Sequence, residues 1–355
     1  MKIGVPREVK PLEGRVALIP SAVAELSQAG HQVIVEQGAG ASAGYADNDY
    51  QRAGARLLAD ADAVYGEARL IVKVKEPVPV EYPRLRSEHV LFSYLHLAAN
   101  PDLARVLCAT GLTAVAFETV EVSGKLPLLA PMSDIAGRLA AQIGAHLLQS
   151  PSGGRGVLLG GLPGTERGRV VVLGAGEAGG NAARVAAALG GEVTVFERVR
   201  ERQQAMYLAG PNVTAMNPYD DLVRAAVEQA DLVIGAVLIT GARAPCLVSA
   251  ATVARMRPGS VIVDIAVDQG GCIETTRPTD YTNPTYTVDG VLHFAVTNMP
   301  GAVPRTASQA LSAALLPYVL KLAEQVEDAG LRAGINVSGG RIVHPVVAAA
   351  LSSVV

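Results

Sequence analysis

Short apolar runs recur through the first part of the chain, at 2–5, 33–35, 70–74, 90–93 and 113–116, separated by helix-like segments such as 21–29, closed by Gly30, and 101–110. This alternation is the βα rhythm of a parallel sheet. Ser133 and Asp134 are placed to cap a helix whose apolar positions Ile135, Leu139, Ile143 and Leu147 recur every four residues, and a Gly-rich loop follows Pro151. The rhythm then restarts, with runs at 170–173, 193–197, 213–216, 232–237, 261–265 and 292–296. Six strands with crossover-length connections make a complete doubly wound sheet. Beyond Pro304, the positions Leu311, Leu315, Tyr318, Leu322 and Val326 mark one helix face, and the Val-rich tail is expected to return to the first domain. The expected fold class is therefore α/β, with two Rossmann-like doubly wound domains. A central domain at 130–303 is inserted in a discontinuous one made of 1–129 and 304–355.

A length of 355 residues agrees with two domains. Charged residues make up 18% of the chain, and 30 Lys plus Arg face 33 Asp plus Glu, which excludes a disordered chain and a polybasic nucleic-acid surface. The partners expected are small molecules or copies of itself. No stretch reaches the ~18 apolar residues of a membrane span, and the opening MKIGVPREVK lacks a signal peptide's apolar block, so a cytoplasmic protein is expected. Cys108, Cys246 and Cys272 are odd in number and widely spaced, which suits reduced thiols and calls for no metal.

Residues 169–179 run from Val-rich strand into Gly174-Ala175-Gly176-Glu177-Ala178-Gly179 and on into an Ala-rich helix. In this G-x-G-x-x-G, Gly174 permits the turn, Gly176 lets backbone approach a pyrophosphate, and Gly179 permits close helix–strand packing. Glu197 ends the next strand about 20 residues on, where a carboxylate binds the adenosine ribose. That argues for NAD, although Arg198 and Arg202 keep NADP open. Asp268 lies at or just past the end of the 261–265 strand and Asn298 follows the next one, so both are site candidates, with loop capping as the plainer reading.

Hydride chemistry belongs to the nicotinamide, leaving the protein to orient a carbon, hold charges and manage a proton. Alternation puts Lys73 and Lys75 on one face of a strand, with Lys75 at its end, and one of them is expected to line a cleft. His96 closes another strand and has the residue type for acid–base work near neutral pH. Arg15 offers a planar fork for a carboxylate. Residue type alone reads Arg15 and Lys73 as surface charges, Lys75 as solvated and His96 as structural. His31, His89, His146, His293 and His344 default to structure.

Taken together, Gly4-Val5-Pro6-Arg7-Glu8 with Arg15, Lys73-Val74-Lys75-Glu76-Pro77, Leu95-His96-Leu97, residues 130–138, the Gly174 fingerprint, residues 264–271 and Thr297-Asn298-Met299-Pro300 resemble the alanine dehydrogenase family, end to end. That family is shared with the NAD-binding subunit of proton-translocating transhydrogenase. The resemblance implies reversible oxidative deamination of L-alanine to pyruvate and ammonia with NAD. By it, Arg15 and Lys75 hold the substrate, His96 is the acid–base group and Asp268 supports catalysis. Ser133, Glu197, Arg202 and Asn298 join the glycines as cofactor contacts. It also implies a homo-oligomer, a hexamer or a dimer, with the first domain completed by the C-terminal segment. A transhydrogenase-like binding subunit, or a dehydrogenase of another small amino acid, are the alternatives. Glu197 stands where the family commonly has Asp.

Overall fold

The computed structural model describes residues 1–237 and 245–352, without the side chains of positions 268 and 269. The chain divides into two compact units, Met1–Met132 with Gly301–Val355, and Ser133–Pro300.

The first unit holds β1 (Lys2–Val5), β2 (Gln32–Glu36), β3 (Arg56–Leu58), β4 (Leu70–Val72), β5 (Val90–Ser93) and β6 (Thr113–Ala116). The second holds β7 (Arg169–Leu173), β8 (Glu192–Phe196), β9 (Val213–Met216), β10 (Leu232–Gly235), β11 (Val261–Asp264), β12 (Thr285–Val288) and β13 (Val291–Phe294). The later segment returns β14 (Ile335–Ser338) and β15 (Arg341–Ile342) to the first unit.

The first sheet runs β15-β14-β6-β5-β4-β1-β2-β3, parallel from β3 to β6, with β14 antiparallel to β6 and β15 antiparallel to β14. The second runs β12-β13-β11-β10-β7-β8-β9, parallel except for β12. Both keep the doubly wound order, so each has a switch point where the strand order reverses, β1/β4 in one and β7/β10 in the other. The antiparallel β12 was not among the expected strands, because its alternation of polar and aromatic residues belongs to a half-covered edge rather than to a buried interior strand.

Both faces of the second sheet are covered. Successive β7 side chains point to opposite sides, with Val170 and Val172 in one apolar core and Val171 and Leu173 in the other. In the first unit, Gly4 on β1 permits a close approach, since a Cβ there would lie 2.7 Å from that of Ala68. The helix Pro101–Thr110 shows why its ends fall where they do. Asn100 accepts from Leu103 N, Pro101 takes a position needing no N–H, and Gly111 ends it at φ +78°.

Three local expectations are corrected. The connecting helix spans Ala130–Leu147, so Ser133 and Asp134 sit inside its first turns and cap nothing. Strand β4 stops at Val72, so Lys73 and Lys75 follow it. In the helix Pro304–Glu324 the buried stripe is Ala307, Ser308, Leu311, Ser312, Leu315, Val319 and Ala323, which leaves Tyr318 and Leu322 at its margin and Val326 outside.

Candidate active site

Ligands in open α/β sheets bind beyond the carboxyl ends of the strands, at the switch point. In the first unit that edge gathers Glu8 and Arg15 after β1, Lys73 and Lys75 after β4, His96 after β5 and Glu118 after β6. A cavity of about 370 Å³ opens there, with Glu8, Glu13, Arg15 and Ser42 in its wall.

Arg15 and Lys73 are not surface charges. They are 2% and 1% exposed. Glu13, itself fully buried, accepts from Arg15 Nε at 2.7 Å and from Nη2 at 2.5 Å, and also from the Arg15 backbone N at 3.0 Å. Met132 Sδ lies 3.2 Å from Nη1. Burial opposes the guanidinium charge, but the hydrogen bonds and negative charge of Glu13 outweigh it and raise the Arg15 pKa. Sequence reading missed Glu13, although its two-residue spacing from Arg15 carried a signal.

Lys73 is a scaffold cation. Its Nζ lies 2.9 and 3.0 Å from the two oxygens of Glu81 and 3.6 Å from Glu8, and Tyr65 OH donates to Glu81 at 3.1 Å. Glu8 in turn accepts from Val74 N at 2.6 Å and Lys75 N at 3.3 Å. This buried group fixes the segment that carries Lys75. The Lys75 side chain is half-buried and makes no hydrogen bond or ion pair among the described residues. Burial, then the nearby charge of Arg15, hold its pKa below the usual lysine value.

His96 does not close a strand. It lies three residues past β5 in the left-handed region, φ +48°, with its side chain 48% exposed. Its ring stacks on that of Tyr94, centroids 5.8 Å apart and 4° from parallel. Tyr94 is pinned by its hydroxyl donating to Leu128 O at 2.6 Å.

In the second unit the Gly-rich turn has the steric form its spacing requires. Gly174 takes φ +89°, and a Cβ on Gly179 would lie 1.9 Å from Gly174 O. Gly137 allows a comparable approach, its Cβ position being 2.0 Å from Ala178 O. A Cβ on Gly176 would meet nothing within 4 Å, and no side chain caps the helix Glu177–Ala188 that begins there. Open space before an uncapped helix N-terminus fits a pyrophosphate.

The Glu197 carboxylate is buried and already bonded. It accepts from Ala175 N at 2.8 Å, Arg198 N at 2.7 Å and Val199 N at 2.9 Å, with Arg202 3.7 Å away. It therefore ties the glycine turn to the end of β8, with acceptor capacity remaining for a hydroxyl. Arg198 is exposed. Ser133 and Asp134 are half-buried, and Asp134 accepts from Asn181 in the glycine-turn helix at 2.6 Å.

Asp268 lies on the turn Ile265–Gln269 after β11, but its side chain is outside the described residues. Asp264, fully buried before that turn, accepts from Ala266 N at 3.0 Å and Cys272 N at 3.2 Å. Burial pushes its pKa up to about 6. Asn298 holds φ +62° ahead of the turn Met299–Ala302. Glu8, Glu118 and Asp264 carried no separate local signal. Among the described residues no cluster of His, Cys, Asp and Glu has metal-binding form, and no helix is long and apolar enough to cross a membrane.

The N-terminal domain model of alanine dehydrogenase/PNT matches residues 4–136, and the C-terminal domain model matches residues 140–345. An alanine dehydrogenase of Mycolicibacterium smegmatis is 48% identical over 356 residues, covering 98% of this chain and 96% of that protein. A solved L-alanine dehydrogenase superposes with TM-score 0.96 at 50% identity, covering all of both chains. A transhydrogenase from Sinorhizobium meliloti gives TM-score 0.84 at 27% identity, covering 97% of this chain and 99% of that one.

Proposed function

The chain belongs to the alanine dehydrogenase/PNT family, and from that membership we propose that it catalyses the NAD-dependent oxidative deamination of L-alanine to pyruvate and ammonia, and the reverse. The observation that carries this reading is the grouping of Arg15, Lys75 and His96 beyond the strand ends of one sheet. The second unit would hold the cofactor, with Gly174, Gly176 and Gly179 at the pyrophosphate, Glu197 and Arg202 at the adenosine ribose, and Ser133, Asp268 and Asn298 completing the contacts. When bound, NAD would supply the acceptor for the hydride of the α-carbon.

Everything else falls to the side chains. Arg15, aligned by Glu13, takes the substrate carboxylate. Lys75 stabilises oxygen as the carbonyl forms, its ammonium donating to that oxygen. Loss of hydride leaves a C=N bond. Water adds to that carbon with His96 taking one of its protons and returning it to nitrogen, and as the C–N bond breaks the remaining hydroxyl proton passes to His96, leaving the carbonyl and ammonia. Asp268 assists at the reacting carbon. The three free thiols suit a reducing compartment, the cytoplasm, and the chain works as a homo-oligomer, a hexamer or a dimer.

The test is NADH oxidation with pyruvate and ammonium, each omitted in turn. Consumption that needs both is the expected result, and NADPH in place of NADH reads Glu197 against Arg198 and Arg202. His96→Ala is expected to abolish turnover while NADH still binds. NADH binding without turnover in the parent protein would favour the transhydrogenase-like subunit, or a dehydrogenase of another small amino acid.

A further inference from the structure

Glu118 has no part in the chemistry above, yet its carboxylate accepts from the backbone of both Leu95 and His96. It comes from the short turn Phe117–Thr119 just after β6, and its side chain is 15% exposed. One oxygen accepts from the backbone N of His96 at 2.6 Å, both lie 3.3 Å from Leu95 N, and Oε1 is 3.9 Å from His96 Nδ1. Two successive amides thus point at one carboxylate.

The local backbone needs that carboxylate. A residue with a Cβ enters the left-handed region only against a steric cost, and such residues persist only where surroundings over-determine them. The side chain of His96, half exposed, has little packing to hold it beyond the Tyr94 ring. The left-handed φ of His96 therefore fixes the direction of its Cα–Cβ bond, and with it where the ring can reach.

Glu118 is anchored from the far end of the chain. The neighbouring Thr119 hydroxyl lies 2.8 Å from Asn336 Oδ1 and 3.2 Å from Gly334 O, both in the segment leading into and along β14. The charge of Glu118 also reaches His344 near that end of the chain, whose Nδ1 is buried without a hydrogen bond among the described residues.

We propose that Glu118 is the positioning residue of His96, a carboxylate that holds the His96 backbone in its left-handed conformation and so fixes the position from which the imidazole is presented. Its role is exerted through the two backbone amides, and it touches neither substrate nor cofactor.

This rests on the acid–base reading of His96, so the experiment separates the two. Steady-state alanine oxidation, NADH affinity and thermal stability are compared for Glu118→Ala, Glu118→Gln, Glu118→Asp, His96→Gln and the double variant Glu118→Ala/His96→Gln. Misplacing a reacting group by about 1 Å costs up to roughly a hundredfold, so Glu118→Ala is expected to lower kcat on the order of 30- to 100-fold. KM for alanine and NADH affinity should stay within about threefold, because the carboxylate and cofactor contacts are elsewhere. Glu118→Gln keeps an acceptor oxygen for both amides and is expected to restore most of the rate. Glu118→Asp, one methylene short, is expected to lose at least about tenfold. In the His96→Gln background, Glu118→Ala should cost nothing more, since residues acting as a unit are not additive.

Glu118→Ala within threefold of the parent, or a full additive loss in the double variant, overturns the proposal. Should Glu118→Ala not fold, full activity in Glu118→Asp overturns it equally. Unimpaired turnover by His96→Gln would defeat the acid–base reading itself, whatever Glu118 does.

Discussion

Around Gly174 the second unit presents backbone, with an open turn, an uncapped helix start and glycines where side chains would collide. Around Arg15 the first unit presents charge, with Arg15 held on Glu13 and Lys73 on Glu81 and Glu8, nearly all of it out of water. Backbone amides carry no formal charge, so a site made from them is built by leaving atoms out. Buried cations carry a large desolvation cost, and a site made from them must include counter-carboxylates. The contrast also sorts the lysines. Lys73, fully matched, serves the fold, whereas Lys75, half-buried beside Arg15 with its pKa lowered, is the one we propose for the chemistry.

The strongest way to break this contrast is to remove the scaffold cation. Lys73→Met would strand Glu8 and Glu81 in the interior, and breaking a buried pair in this way costs about 3–5 kcal/mol. Denaturant unfolding should show that loss, and adding Glu81→Gln should recover part of it. Unchanged stability would mean that the pairing contributes nothing to the fold.

Asp264 sharpens the comparison, because it is a buried carboxyl in the second unit held by backbone amides and, among the described residues, by no cation. With a folded pKa of about 6 against 3.8 for the ordinary group, the folded state binds its proton more tightly than the unfolded one. Stability therefore falls as pH rises from about 4 to about 6, by about 3 kcal/mol from this group, and is regained as pH falls through that window. Asp264→Asn should remove that slope, gaining relative to the parent at pH 7.5 and losing the advantage near pH 4. Parallel stability curves for the two proteins would refute it.

The smallest effects come from the glycines. Gly179→Ala drives a methyl into Gly174 O and is expected to cost about 1–3 kcal/mol of stability. Gly176→Ala meets open space, so thermal stability should stay put while NADH binding weakens about tenfold, roughly 1.4 kcal/mol. Equal stability losses for both would erase the distinction between a packing glycine and a ligand-facing one.

The same contrast explains what the sequence disclosed. The strands and the glycine turn were legible because their causes are local, in apolar runs and in the spacing of residues that lack a Cβ. The surroundings of Arg15 and Lys73 were not, because residue type argues for exposure while the partners that permit burial come partly from distant positions such as Glu8. His96 was legible as a residue at the sheet edge. Its left-handed turn was not, since the carboxylate that holds it stands 22 positions away. Ser133 and Asp134 look like a helix cap in any short window, and only the wider structure shows the helix already begun at Ala130.

The antiparallel pairing of β14 with β6, Val337 opposite Ala114 and Ile335 opposite Val115, has a consequence for the order in which the molecule is made. When β6 leaves the ribosome, its partner is still roughly 200 residues away, on the order of 10–40 seconds at ordinary synthesis rates. For that interval the edge strand of the first sheet is bare, the kind of surface that recruits other chains. The inserted unit is complete well before the unit that surrounds it in sequence. Newborn chains of this protein thus pass through a state with a finished second unit and an open first one, a window in which holdase chaperones have an edge to guard.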